Sequence, residues 1–208
     1  MSIVISELNT AVRNKSPQEI IQKVIETDPN VFVTTRFSPY EIVLLHMLVQ
    51  VRADIPVVWV DSGLNKTETY EFAETAIEQL DLNVSVYTPR MTAARFESTF
   101  GDVPSAKDEE RYAEFVQQFQ IEPFTRAMNA QVARVWFTGI RREQEQIPSD
   151  TEFLAKGPFG LTRVAPLLNW SEVDLKRYVQ KFQLQNELTF FDPSNHKEAC
   201  LFEPLKVA

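Results

Sequence analysis

The sequence predicts an α/β fold built on a parallel sheet with helices on both faces, and three observations carry that prediction. Short, nearly continuous apolar runs recur along the chain: VFVTT (31–35), IPVVWVD (55–61) and RVWFTG (134–139). Such runs suit strands buried on both faces rather than on one. Between them lie segments with helical periodicity, so strand and helix alternate. Finally, 208 residues give room for one domain with a well-buried core. We read residues 1–208 as that single domain, with 186–208 as a C-terminal tail.

The elements follow in order. Ser16-Pro17 opens a helix, with Ser16 as cap, Pro17 at the first helical position and Glu19 closing a capping box. Ile21, Val24 and Ile25 give it an apolar stripe, and Asp28-Pro29 ends it. After the strand at 31–35, a helix over 39–51 begins at Pro39 and is apolar almost all round, which predicts full burial. The strand at 55–61 leads to a helix over about 66–80, with Glu68 as a capping partner of Asn65. NVSVYT (83–88) is a strand with alternating valines, and 92–133 is polar and helical in pieces. The fourth strand, 134–139, ends on Gly139. Ser171 and Asp174 form a second capping box, opening a helix with Leu175, Tyr178, Val179 and Phe182 on one face.

Composition excludes several classes of chemistry. Glycine occurs five times (Gly63, Gly101, Gly139, Gly157, Gly160), well below the usual share of about 7%. No two of them are spaced for a dinucleotide fingerprint or a GxxxxGK[ST] phosphate loop. One cysteine and two histidines exclude a cysteine-ligated zinc site, an iron–sulfur cluster within one chain and an intrachain disulfide. The net charge of −8 and a pI near 4.9 disfavour nucleic acid and anionic membrane as partners. No apolar run spans a bilayer, the first residues carry no secretory pattern, and a lone Cys suits a reducing compartment, so a cytoplasmic protein is expected.

In a parallel sheet ligands gather at the carboxyl ends of the strands, which directs attention to three segments. Thr34-Thr35-Arg36-Phe37-Ser38-Pro39 joins a strand to a helix start, where backbone amides, hydroxyls and a guanidinium suit an anion. It reads equally well as an ordinary cap, with Ser38 capping, Pro39 in the first turn and Arg36 solvated. Asp61-Ser62-Gly63 suits ribose hydroxyls, or forms an Asx turn that reverses the chain. Gly139-Ile140-Arg141-Arg142-Glu143-Gln144 puts two guanidiniums at a strand end, suited to phosphate or sulfate oxygens. Arg163 adds a third charge to the same mouth. The plainer reading of the Arg pair is a surface ion pair with Glu143 or Glu145. His46 reads as a packed core residue, and His196, Lys197 and Cys200 sit in a terminal segment able to fold back over a site.

Taken in order, these segments resemble one family, the phosphoadenylyl-sulfate (PAPS) and adenylyl-sulfate reductases of the adenine nucleotide α-hydrolase-like (PP-loop type) superfamily. The family's Ser-Ser-Ser-Phe-Gly loop corresponds to Thr34-Thr35-Arg36-Phe37-Ser38, with its downstream His at His46. Its Asp-Thr-Gly…Glu-Thr-Tyr run corresponds to Asp61-Ser62-Gly63…Glu68-Thr69-Tyr70, and its Gly-Leu-Arg-Arg-Glu-Gln to Gly139 through Gln144. Its Leu-Pro-Ile…Trp resembles Ala165-Pro166-Leu167-Leu168-Asn169-Trp170. The resemblance covers about residues 15–185. It implies a three-layer sandwich around a parallel sheet, an adenosine phosphosulfate as substrate in sulfate assimilation, and sulfite as product. It also implies thioredoxin or glutaredoxin as reductant, no bound cofactor in a chain lacking the cluster cysteines, and a homodimer or larger assembly. Thr34, Thr35, Phe37 and Ser38 would line the phosphate loop. Asp61, Ser62 and Gly63 would lie near the adenosine, with Arg141 and Arg142 on the phosphosulfate.

The chain also departs from the family. The loop's Gly is Ser38 and its middle Ser is Arg36, while Glu145-Gln146-Ile147-Pro148 stands where the family has a further Ser and Arg. The Glu-Cys-Gly-Leu-His segment carrying the family's nucleophile has no match in these residues. Cys200 aligns with the first Cys of a cluster-binding pair and is the one thiol able to take the nucleophile's place. Two readings follow: a sulfonucleotide reductase, or a module that binds an adenine nucleotide without turnover. A third, an ATP pyrophosphatase, ranks last because Thr34–Ser38 does not match its Ser-Gly-Gly-x-Asp loop.

Overall fold

The sheet is organised around strand β1 (Val31–Thr35), which has parallel neighbours on both edges: β2 (Pro56–Val60), with Val33 opposite Val57, and β4 (Val135–Phe137), with Val31 opposite Val135. Strand β3 (Asn83–Tyr87) extends the sheet beyond β2, and β6 (Thr162–Val164) and β5 (Leu154–Lys156) extend it beyond β4. The order is therefore β3-β2-β1-β4-β6-β5, with β5 alone antiparallel. The computed structural model describes residues 4–105, 107–144, 147–148 and 150–191. His196, Lys197 and Cys200, and most of the expected tail at 186–208, lie outside the described residues.

Side chains alternate across the sheet as its pleat requires. Val31, Val33, Val57, Trp59, Val135 and Phe137 join the larger core with helices α1 (Ile5–Val12), α2 (Pro17–Thr27), α3 (Glu41–Val51), α4 (Thr67–Leu80) and α8 (Glu172–Phe182). The intervening Phe32, Val58 and Trp136 turn the other way, onto Phe124, Ala127 and Met128 of α7 (Glu122–Ala130). That is a three-layer α/β sandwich, with helices on both faces of the sheet. The all-round apolar character of α3 follows from its place, packed against α2, α4 and α8 as well as lying under the sheet. Burying each such side chain stabilises by about 1.5–3 kcal/mol.

Both capping boxes form, Ser16 with Glu19 and Ser171 with Asp174. The helix expected from Pro39 starts instead at Glu41, because Ser38–Tyr40 make a separate turn in which Tyr40 adopts φ 66°. Ser38 is therefore not its cap. Nor does Asn65 pair with Glu68: its amide donates to the Asp61 carboxylate (3.0 Å), and Lys66 caps α4 through backbone alone. The polar stretch 92–133 resolves into α5 (Ala93–Phe100), α6 (Glu109–Val116), a π-helical turn (Gln117–Ile121) and α7. The last three run on from one another. Pro123 has no N–H to give and its ring would strike the carbonyl four residues back. The helix widens there, and the Glu122 N–H bonds the Gln117 carbonyl, five residues back.

Strands β5 and β6 are not among the four the sequence predicts. Each has only three residues, and their hairpin turns through Pro158–Gly160, where Phe159 and Gly160 both have positive φ. Tertiary clamping makes up for their weak local signal. Asn9 of α1 is buried and treats β5 as a strand partner would, donating to the Leu154 carbonyl (2.8 Å) and accepting from the Leu154 N–H (2.9 Å). Among the described residues no helix is long and apolar enough to cross a membrane.

Asn9→Ala leaves both Leu154 groups buried without partners and is expected to lower stability by about 2–3 kcal/mol in urea unfolding. Asp28 supplies an acid-side test. Burial by itself would raise its pKa, but bonds from the Asn30 backbone and from Arg134 outweigh that and hold it below the usual carboxylate value. Its stabilisation is therefore complete above pH of about 4 and lost as pH falls through the lowered value. Melting temperature followed against pH is expected to show a shallower acid limb in Asp28→Asn than in the wild type.

Candidate functional site

Strands β1, β2 and β3 step in one direction across the sheet, and the chain then returns to place β4 on the opposite side of β1. The connections leaving β1 and β4 diverge, which opens a crevice at their carboxyl ends. A cleft lies there. One wall is Thr34 and Thr35 at the end of β1 with Arg36 and Ser38 after it, the other Thr138, Gly139 and Arg141 after β4, with Ser62 contributed from beyond the end of β2. Phe119, Gln120 and Phe124, from the π-helical turn and α7, close the side. Extra-wide turns of this kind recur at functional sites. Phe119 and Gln120 were missed in the sequence, where the turn's only local signal is Pro123.

The loop after β1 is folded around a carboxylate of its own. The Glu41 Oε2 accepts from the Arg36 N–H (2.8 Å), the Ser38 N–H (3.1 Å) and the Thr35 hydroxyl (2.9 Å). The Thr35 hydroxyl in turn accepts from the Phe37 N–H (3.0 Å). Thr34 accepts from the indole N–H of Trp136 (2.9 Å), tying the loop to β4. Phe37, expected along the phosphate loop, is instead a core residue with no exposure. Its φ of 54° turns the ring down onto Trp59, at 4.9 Å between centroids in an edge-on contact.

Asp61 takes the turn reading. Its Oδ1 accepts from the Gly63 N–H (2.9 Å), the Asn65 amide and the Tyr70 hydroxyl (2.9 Å). Burial and the Asp61 carboxylate push the Tyr70 phenol up to about 12. Asp61 and Gly63 stay outside the cleft, while Ser62, 2% exposed, lines it.

The Arg pair separates where the chain turns after Arg141, the Gln144 N–H bonding the Arg141 carbonyl (3.1 Å). Arg141 lines the cleft, its side chain 16% exposed and ion-paired to Glu143 at 2.9 Å. Glu143 is held by the first N–H of α8, from Glu172 (2.7 Å). Arg142 turns away and bonds the Asn169 side chain (2.9 Å) and the Thr151 carbonyl, fastening two loops together. The expectation of two guanidiniums at the mouth is corrected to one from this segment, beside Arg36 from the loop. Arg163 is half-buried on β6 opposite Trp136 and does not line the cleft. Burial lowers its pKa. His46 packs against Tyr178 and Phe182, with Nδ1 2.9 Å from the Tyr178 hydroxyl, and burial lowers its pKa. Its ring is half-buried against α8, at the margin of the core rather than inside it.

Thr138 lies one residue past β4 and is 4% exposed, and its Oγ1 is buried in the cleft wall with no hydrogen-bond partner among the described residues. An unsatisfied buried hydroxyl is rare and costs about 1–3 kcal/mol. Its residue type alone gives no sign of this.

Residues 30–189 match the phosphoadenosine phosphosulfate reductase domain model. The chain is 31% identical to a phosphoadenosine 5′-phosphosulfate reductase of a Synechococcus strain over 86% of its own length and 78% of that protein. It is also 31% identical to the one from a Synechocystis strain, over 89% and 74%. In fold it is similar to the crystal structure of phosphoadenylyl-sulfate reductase from Candida auris in its phosphate complex, with a TM-score of 0.76 at 21% identity over 89% of this chain and 90% of that one.

Replacing Thr138 by the isosteric Val removes the unsatisfied hydroxyl and is expected to raise stability by about 1 kcal/mol in urea unfolding. A loss of stability in that measurement overturns the assignment of Thr138 as unpartnered.

Proposed function

The chain belongs to the phosphoadenosine phosphosulfate reductase family, and from that premise we propose that the cleft at the β1–β4 crevice binds an adenosine phosphosulfate and that the protein reduces it. The observation that carries the reading is the Arg141 guanidinium: little exposed, oriented by Glu143, and facing the cleft across from Arg36. A guanidinium so held recognises phosphate or sulfate oxygens through paired N–H bonds. Gln120 and Ser62 supply polar groups beside the apolar Phe119 and Phe124, the mixture typical of small-molecule sites. Asp61, Gly63, Phe37 and Arg142 act behind the site, holding the loops that present these groups.

In the reaction, a thiolate attacks the sulfur of the phosphosulfate. A sulfur–sulfur bond forms, the sulfur–oxygen bond to the nucleotide breaks, and the nucleotide leaves with the electron pair of that oxygen. One thiol of a dithiol reductant of the thioredoxin or glutaredoxin type then attacks that first sulfur, breaking the sulfur–sulfur bond to release sulfite and forming a mixed disulfide. The reductant's second thiol resolves it, leaving the reductant as a disulfide and regenerating the first thiol. Within this chain Cys200 is the candidate for the first thiolate, and a partner's thiol is the alternative source. The protein works as a single domain, in the cytoplasm, with no resident cofactor, and as a homodimer.

A second reading, a module that binds an adenine nucleotide without turnover, is favoured by one observation. The loop amides that would hold a phosphate are already bonded to Glu41.

Calorimetric titration with adenosine phosphosulfate is expected to give binding that Arg141→Ala weakens by about tenfold, the loss of one charge-assisted contact. With a thioredoxin and its reductant present, sulfite release is expected, and Cys200→Ser abolishes it. Binding without sulfite release identifies the second reading, and absence of binding removes both.

A further inference from the structure

The loop after β1 has the geometry of an anion-binding nest: the Arg36 and Ser38 amides, on either side of the left-handed Phe37 at φ 54°, converge on one point. Such a concavity takes an oxygen of a phosphate, sulfate or carboxylate. Here the point of convergence holds the Glu41 Oε2, within 3.1 Å of the Arg36 and Ser38 amides and 2.9 Å of the Thr35 hydroxyl. Glu41 is also the first residue of α3, where the helix dipole favours a negative charge. It is the lone acidic residue in that otherwise largely apolar helix, and it lines the cleft.

We propose that Glu41 is a specificity-determining residue: its carboxylate fills the anion seat of the loop, so that a ligand's oxyanion is held by the guanidiniums of the cleft and not by the loop amides. An external phosphate entering the seat must displace a carboxylate that already has three donors, and it would meet that negative charge close by. The cleft therefore accepts fewer anionic groups than its loop geometry suggests, and it favours ligands whose negative charge is gathered near Arg141 and Arg36. This deepens the nucleotide reading and rests on it only for the identity of the physiological ligand, because the seat itself is tested with inorganic phosphate.

The experiment measures phosphate binding by calorimetry, and by thermal shift against chloride at equal ionic strength, in wild type, Glu41→Ala and Glu41→Gln. Opening the seat in Glu41→Ala is expected to tighten phosphate binding by at least about tenfold, the value of one or two charge-assisted bonds. The gain is expected to survive in Glu41→Ala with Arg141→Ala. Equal phosphate binding by wild type and a folded Glu41→Ala overturns the proposal, as does a gain that vanishes with Arg141. Should Glu41→Ala fail to fold, Glu41→Gln decides. It keeps the shape and an accepting oxygen but drops the charge, and it is expected to bind phosphate about threefold more tightly, whereas unchanged binding overturns the proposal. Nucleotide titration of the wild type in parallel reports on the functional reading separately, since that binding depends on Arg141.

Discussion

A strand buried on both faces and flanked on both edges has to deliver its chain to solvent within a few residues, and β1 does so at the most crowded point of this sheet. After Thr35 its backbone leaves the ladder, yet the next amides still need partners in a region shielded from water. The Glu41 carboxylate meets that need, taking the Arg36 and Ser38 N–H groups and the Thr35 hydroxyl together. The position of α3, the downward turn of Phe37 into the core and the wall of the cleft all follow from that arrangement. The same bonds that complete the fold leave a carboxylate on the cleft wall.

The functional end of the molecule is thus divided between groups that hold and groups that face outward. Asp61 and Arg142 are consumed by the architecture, the one closing a turn and the other joining the segments around Thr151 and Asn169. Arg141 and Arg36 line the cleft. The pairing of Arg141 with Glu143, and of Glu143 with the start of α8, orients the guanidinium before any ligand arrives. Pre-oriented groups lose little conformational freedom on binding, which favours recognition by position over recognition by net charge. In a chain with a net charge of −8, that local arrangement has to work against the field of the whole molecule.

Much of this was legible in the sequence. The strands at 31–35, 55–61 and 134–139 announced themselves because burial on both faces demands unbroken apolar runs, and the switch point follows once their ends are compared. Strands β5 and β6 were not legible, since LAK and TRV are too short and too polar to signal strands without Asn9 and β4 to hold them. Phe119 and Gln120 reach the cleft only because the helix widens by one residue, which displaces every side chain from its ideal angular position. Glu41 was the largest omission, although a lone acid opening an apolar helix, just past a loop rich in donors, is a readable sign.

The left-handed turns of this loop carry a consequence for how it moves. Phe37 and Tyr40 both adopt positive φ without being glycine. Each such residue stores about 1–2 kcal/mol of backbone strain. In a glycine-built loop the corresponding term is entropic: the chain is free to wander when unfolded and remains supple when folded. Here the conformation is enforced instead by ring packing and by the carboxylate clamp, so that local relaxation toward ordinary φ values is blocked by the core beneath. A loop made this way has few nearby alternative shapes. A glycine introduced at either position would exchange that stiffness for flexibility.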